Sequence, residues 1–136
     1  MTSINKRPLK LALWNGFKRK CPNCQEGNLF VGYLKVTDHC PACNEDFSHQ
    51  RADDGPAWAT MMVVGHLIPA PLMYIFETFD EPAPWKVGLF LGFFVIIATL
   101  LLLPRIKGLF VALQWANLMH GFGNSTPKTQ YTEKFE

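Results

Sequence analysis

The apolar positions of this chain are gathered into two blocks. From Ala57 to Phe76, 20 residues pass without Asp, Glu, Lys or Arg and with one histidine. At about 1.5 Å of rise per residue, that stretch makes a helix about 30 Å long, the thickness of a hydrocarbon layer. The second block runs from Trp85 to Leu103 and has no charged residue from Val87 onward. The connection, Glu77 to Pro84, is short and holds Pro82 and Pro84, so the two blocks are predicted to run antiparallel. Two helices apolar on every face, in a chain of 136 residues, leave little protein to cover them. The predicted fold class is therefore membrane α-helical, with a two-span transmembrane hairpin (residues 53–103, spans 57–76 and 85–103). Trp58 and Tyr74 fall where an interfacial aromatic belt would lie.

The polar flanks extend this picture. Residues 1–20 carry Lys6, Arg7, Lys10, Lys18, Arg19 and Lys20 and no acid. Leu9, Leu11, Leu13, Trp14 and Phe17 lie among them. The segment reads as a basic amphipathic helix resting on anionic headgroups, with a frayed basic tail as the plainer alternative. Beyond the second block, Pro104 is expected to stop or kink the helix. Ile106, Leu109, Phe110 and Leu113 then recur at helical spacing, which predicts a C-terminal interfacial amphipathic helix over 104–120. Gly121 is the expected stop, and 121–136 the expected disordered tail. The net charge of +2 says little. The distribution says more: eight Lys and Arg precede the first block, and the connection and its edge hold only Lys86. By the positive-inside rule, both termini are cytoplasmic and the acidic loop of Glu77, Asp80 and Glu81 is outside. The run Leu11–Trp14 is too short for the apolar core of a secretory signal.

Four cysteines carry the chemistry. Cys21-Pro-Asn-Cys24 and Cys40-Pro-Ala-Cys43 are separated by 15 residues, the C-x2-C…C-x2-C spacing of a structural zinc site. On the cytoplasmic side, thiols stay reduced, which disfavours disulfides and leaves them available to a metal. The residue after the second cysteine of such a knuckle often needs positive φ; here those residues are Gln25 and Asn44, with Gly27 close by to absorb the turn. Between the knuckles, Leu29 to Val36 is rich in β-forming residues, so residues 21–52 are predicted to fold as a small zinc ribbon with a short hairpin. Zn(2+) is favoured, with iron as the alternative that four sulfurs also suit. A redox pair is less fitting, because one C-x2-C would suffice and no βαβ pattern surrounds it. Cys21, Cys24, Cys40 and Cys43 would fill the metal's shell, so His39 and His49 read as surface residues.

Inside the first block, Met62, His66 and Met73 share one face of an unkinked helix and form a candidate intramembrane Cu(I) site. The plainer reading gives His66 a hydrogen bond to another helix or to a carbonyl freed by Pro69 or Pro71, and makes the methionines filler. Asp53 and Asp54 precede Pro56 at the start of the first span, as acids do at helix N-termini. No phosphate-binding glycine loop, Ser/His/Asp order or H-E-x-x-H appears. Residues 21–56 carry two bases against six acids, so nucleic acid is not an expected partner. Membrane lipids are.

Several segments together resemble a bacterial membrane family known as domain of unknown function 983. They are Cys21–Cys24 with Gly27-Asn28-Leu29-Phe30, Cys40–Cys43 with Asp46-Phe47-Ser48, Ala52-Asp53-Asp54-Gly55-Pro56-Ala57, Leu103-Pro104-Arg105-Ile106-Lys107-Gly108, and Leu113-Gln114-Trp115. Gln25 departs from the glycine usual in that family's first knuckle. The resemblance implies a bacterial inner-membrane protein with two spans. Genes of the family often lie near those for cytochrome c oxidase, which points to an accessory subunit or assembly factor of a respiratory complex, with other membrane subunits as partners. Four filled metal positions leave none open for substrate, so a non-enzymatic role is expected. The alternatives are a protein that handles or senses copper or zinc, and an electron carrier with iron on the four cysteines.

Overall fold

A computed structural model describes residues 7–122. The order is a short helix α1 (Leu9–Phe17), a cysteine-bearing lobe, α2 (Gly55–Leu67), α3 (Pro69–Thr78), α4 (Pro84–Ala116) and a 3-10 turn at Met119–Gly121. No strand forms among the described residues, and the lobe is stitched by isolated bridges at Lys20–Asn28, Phe30–Val36 and His39–Asp46. The hairpin predicted within Leu29–Val36 is thus reduced to one bridged pair. The turn closed by Val31 N–H donating to the Lys35 carbonyl consumes the five residues between Phe30 and Val36.

α2 begins at Gly55, two residues before the predicted start, with Asp54 as N-cap and Pro56 in its first turn. Pro69 and Pro71 withdraw two N–H donors, and the helix ladder is interrupted at Ile68. Ile68 nevertheless keeps helical dihedrals of φ −63° and ψ −43°, so the chain continues in register from α2 into α3. Gly55–Thr78 (24 residues) and Pro84–Ala116 (33 residues) are both long and apolar enough to cross a membrane, by length and composition.

The separate helix predicted over 104–120 does not exist. α4 runs through Pro104 without a stop and ends at Ala116. Pro104 cannot donate to the carbonyl of Leu100, four residues back. The Tyr33 hydroxyl, at the tip of the cysteine lobe, donates to that carbonyl instead. Of the apolar stripe predicted there, Ile106 is buried, Leu109 and Phe110 are half-buried and Leu113 stays exposed. Ile106, Gly108, Val111, Ala112 and Trp115 are buried, and several of them share one core with Ala12 of α1 and with Cys21, Leu29, Phe30, Val36, Cys40, Phe47 and Ala52 of the lobe. The helix also ends before Gly121. Leu118 takes the left-handed conformation (φ 55°), and the turn to Gly121 follows. Phe122, at the start of the predicted disordered tail, is fully buried with its ring 6.4 Å from Phe47; the remainder of that tail, 123–136, lies outside the described residues, as do residues 1–6.

The molecule therefore has a packed head, made of α1, the lobe and the end of α4, and a bare hairpin of α2, α3 and the start of α4. Trp58, Met61, Tyr74, Phe76, Trp85, Leu89 and Phe93 on the hairpin are each 60–67% exposed. α1 meets α4 backbone to backbone. A Cβ on Gly16 would collide with the Gly108 carbonyl and the Ala112 methyl, and one on Gly108 would collide with the Gly16 carbonyl. The face that α1 buries is Ala12, Asn15 and Gly16, while Leu9 and Trp14 stay exposed.

Candidate metal centre

The two knuckles close in the same way. In each, the residue after the second cysteine donates its N–H to the carbonyl of the first: Gln25 to Cys21 at 3.0 Å and Asn44 to Cys40 at 2.9 Å. That turn puts both residues at positive φ, 67° for Gln25 and 59° for Asn44. Gln25 takes this conformation without help from Gly27, whose role is steric. A Cβ on Gly27 would run into the Cys40 sulfur. Its N–H also points at the Cys24 sulfur, 3.4 Å away.

These turns bring Cys21, Cys24, Cys40 and Cys43 together, with all four sulfurs within 4.8 Å of one another. A tetrahedral metal with M–S bonds of about 2.3 Å needs sulfurs about 3.8 Å apart. The Cys21–Cys43 and Cys24–Cys40 pairs stand at 3.8 and 3.7 Å. That is close to twice a disulfide's S–S length of about 2.05 Å, and all four cysteines are free thiols. The donor set therefore fits one four-coordinate ion of the zinc or iron type. No histidine or carboxylate joins the group among the described residues. His39 is exposed, and His49 is half-buried, with its ring 6.1 Å from Phe122 and its Nε2 3.5 Å from the Asp46 carboxylate.

The thiols are not equivalent. Burial pushes the Cys21 thiol strongly up, and the nearby Cys43 and Cys40 sulfurs add to this against N–H groups from Cys24 and Asn23. Cys43 is pushed up to about 11, first by burial and then by Cys40 and Cys24, against the N–H of Glu45. At Cys24, burial acts upward too, but the N–H groups of Gly27 and Glu26 and the thiols of Cys40 and Cys43 together hold it below the ordinary thiol value. The pocket thus eases ionisation at Cys24 and opposes it at Cys21 and Cys43. A bound metal supplies positive charge and deprotonates its thiols outright.

Around the sulfurs, the lobe is tied to α4 by polar contacts that spacing did not reveal. The Asn23 amide donates to the Cys43 sulfur (3.6 Å) and to the Glu45 carboxylate (3.2 Å). Glu45 in turn accepts from the Trp115 indole at 2.8 Å and pairs with Arg7 at 3.6 Å. Arg7 lies over the Trp115 ring, 4.2 Å from its centroid, and donates to the Trp115 carbonyl at 2.8 Å. One residue earlier, the Gln114 amide acts as a strand would: its oxygen accepts from Arg51 N–H (2.9 Å) and its nitrogen donates to the Arg51 carbonyl (2.8 Å). The Leu113-Gln114-Trp115 run was the available signal, because a buried amide beside a buried indole needs partners.

The candidate intramembrane residues give less. Met62, His66 and Met73 are all exposed. His66 Nδ1 lies 2.7 Å from the Met62 carbonyl, where its N–H can donate. The partner is the ordinary carbonyl four residues back, and neither of the carbonyls freed by Pro69 and Pro71.

The family described as protein of unknown function DUF983 matches residues 30–115. No curated protein and no solved structure matches the chain. Four cysteines, the Pro104 segment and the Gln114-Trp115 pair thus meet in one head, and the chain belongs to the DUF983 family.

Proposed function

We propose that this is a non-enzymatic, zinc-binding protein of the bacterial inner membrane that serves as an accessory subunit or assembly factor of a respiratory complex such as cytochrome c oxidase. The observation that carries the reading is the join between a closed sulfur quartet and a bare apolar hairpin. Four thiolates complete a tetrahedral shell, so the site has structure to give and no open position for a substrate. The hairpin needs a hydrocarbon environment, since its large apolar side chains stand exposed along both arms. α4 is about 50 Å long at helical rise, which exceeds a bilayer core by about 20 Å. Its surplus is the part packed into the head, so the span ends near Leu103, where the first charge, Arg105, follows. Trp58 near the head and Tyr74 and Trp85 near the loop sit at opposite ends of the hairpin, as interfacial aromatics do. The excess of Lys and Arg before α2 supports an orientation with the head and both termini in the cytoplasm.

In this arrangement the head is a metal-stiffened recognition surface and the hairpin packs against lipid and partner helices. Family gene neighbourhoods make cytochrome c oxidase the first partner to test. Zinc is the proposed ion, and iron is the second reading that the sulfur spacing accommodates equally. Purified protein should carry one zinc per chain and no visible absorbance; iron with a visible spectrum would replace the scaffold by an electron carrier. Gentle extraction from native membranes should bring oxidase subunits or assembly factors down with the chain. Recovery of the chain alone would end the respiratory assignment.

A further inference from the structure

A second site lies where α1 crosses α4. Trp14, Phe17, Lys18 and Arg105 line a cavity of about 390 Å³. Its wall is a stacked pair of rings, Trp14 and Phe17, with centroids 6.4 Å apart and planes inclined by 14°. A cation lies over each ring: Lys18 Nζ is 4.6 Å from the Trp14 centroid, and the Arg105 guanidinium 5.8 Å from that of Phe17. Among the described residues, no carboxylate lines the cavity. The ion pairs among the described residues are Arg7–Glu45 and His49–Asp46, and neither involves Lys18 or Arg105. Arg105 makes one long contact, 3.5 Å, to its own helix at the Leu101 carbonyl. Two cations are therefore held beside one hollow with no anion among the described residues to answer them.

The position of the hollow names the anion. Arg105 is the first charge after the uncharged run Val87–Leu103. Under the membrane reading proposed above, on which this inference rests, it stands at the headgroup layer. Trp14, beside it, is 56% exposed. We infer that the cavity holds the phosphate of an anionic phospholipid, with Lys18 and Arg105 supplying the charge and Trp14 and Phe17 packing its glycerol and first acyl carbons. A zwitterionic lipid brings its own cation into a place that already has two. The close approach at Gly16 and Gly108 fixes the geometry, because it sets α1 against α4 at a fixed distance.

Native mass spectrometry of the full metal-loaded chain, released from micelles containing equal phosphatidylglycerol and phosphatidylcholine, tests the site. The parent should retain phosphatidylglycerol in preference. Lys18→Gln and Arg105→Gln should each lower that preference about five-fold, the value of one interfacial charge, and Lys10→Gln should leave it unchanged. The charge-keeping pair Lys18→Arg with Arg105→Lys should retain most of it, and the metal content of every variant reports whether the head is folded. Equal retention of both lipids by the parent, or an undiminished preference in the folded double glutamine variant, overturns the site. Displacement of the lipid by millimolar inorganic phosphate would also overturn it and make the cavity a free-phosphate site. Release of the parent from membranes by alkaline carbonate would instead sink the spanning reading; tight retention without lipid preference sinks the cavity alone.

Discussion

Tyr33→Phe removes one hydroxyl and should be felt at Pro104, although the hydrogen bond it breaks spans 67 residues of sequence. In a regular helix the N–H of residue 104 would satisfy the carbonyl of Leu100. Proline has no N–H, so that carbonyl depends on Tyr33. A polar group stranded without a partner costs about 1–3 kcal/mol. Tyr33 is 45% exposed, so the lower end applies, and the single variant should lose about 1 kcal/mol. The proof is a double-mutant cycle. In a Pro104→Ala background, the substituted residue has an N–H that donates to the Leu100 carbonyl, and the hydroxyl becomes redundant. Tyr33→Phe should then cost close to nothing, giving a coupling energy of about 1 kcal/mol between the two positions. The comparison holds even if losing the buried proline ring costs packing, because that loss appears on both sides of the cycle. Denaturant unfolding of the metal-loaded protein in detergent micelles, followed by tryptophan fluorescence, supplies the four free energies. An equal cost of Tyr33→Phe in both backgrounds would refute the reasoning.

Three further outcomes follow from the head. Cys21 and Cys43 are raised, so in the metal-free protein at pH 7 both hold their protons, and binding must release them. Zinc affinity should therefore fall as pH falls, by about a hundredfold for each unit if only these two protons count; titration calorimetry in buffers of different ionisation enthalpy gives the number, and release of fewer than two protons would contradict it. Gly27→Ala places a methyl on the Cys40 sulfur and should weaken zinc retention against a competing chelator by at least about tenfold, roughly 1.4 kcal/mol at the low end of overpacking costs, whereas Gly32→Ala, which has open space around it, should not. Glu45→Ala takes away the carboxylate that pairs with the largely buried Arg7 and accepts from the Trp115 indole and should cost about 3 kcal/mol; Glu45→Gln keeps an acceptor for the indole and should cost clearly less, and equal losses in denaturant unfolding would show that charge alone matters.

The parts of this structure that can be read from the sequence are those whose cause is local. The C-x2-C knuckles impose their own turn, and so the positive φ at Gln25 and Asn44 follows from spacing. The two apolar arms follow from composition, and the interruption at Ile68 from Pro69 and Pro71. What is missed has a distant cause. Pro104 looks like a helix end because its compensating donor sits in the lobe. Phe110 reads as part of an interfacial stripe, and nothing in the local pattern shows that it packs against a core built largely from residues 12–52. Gly16 carries no signal at all until its contact with Gly108 is seen.

The same distant contacts join the metal to the shape of α4. Beside their shared apolar core, three side-chain hydrogen-bonded pairs among the described residues connect the lobe to this helix: Glu45 to Trp115, Arg51 to Gln114, and Tyr33 to Leu100. The lobe has no strands to hold it among the described residues, and it packs around its own cysteines. A structural zinc contributes about 10–16 kcal/mol at neutral pH to a unit of this kind, far more than any of the three links. Removing the metal should therefore release all three together. Leu100 would lose its donor, and Pro104 would regain the freedom to kink the helix. Spin labels at Leu89 and Leu113, both exposed and on either side of Pro104, would then show a broadened distance distribution after chelation, and Pro104→Ala would keep it narrow. An unchanged distribution in the chelated parent would mean that α4 holds its line without the head, and that the metal stiffens the lobe alone.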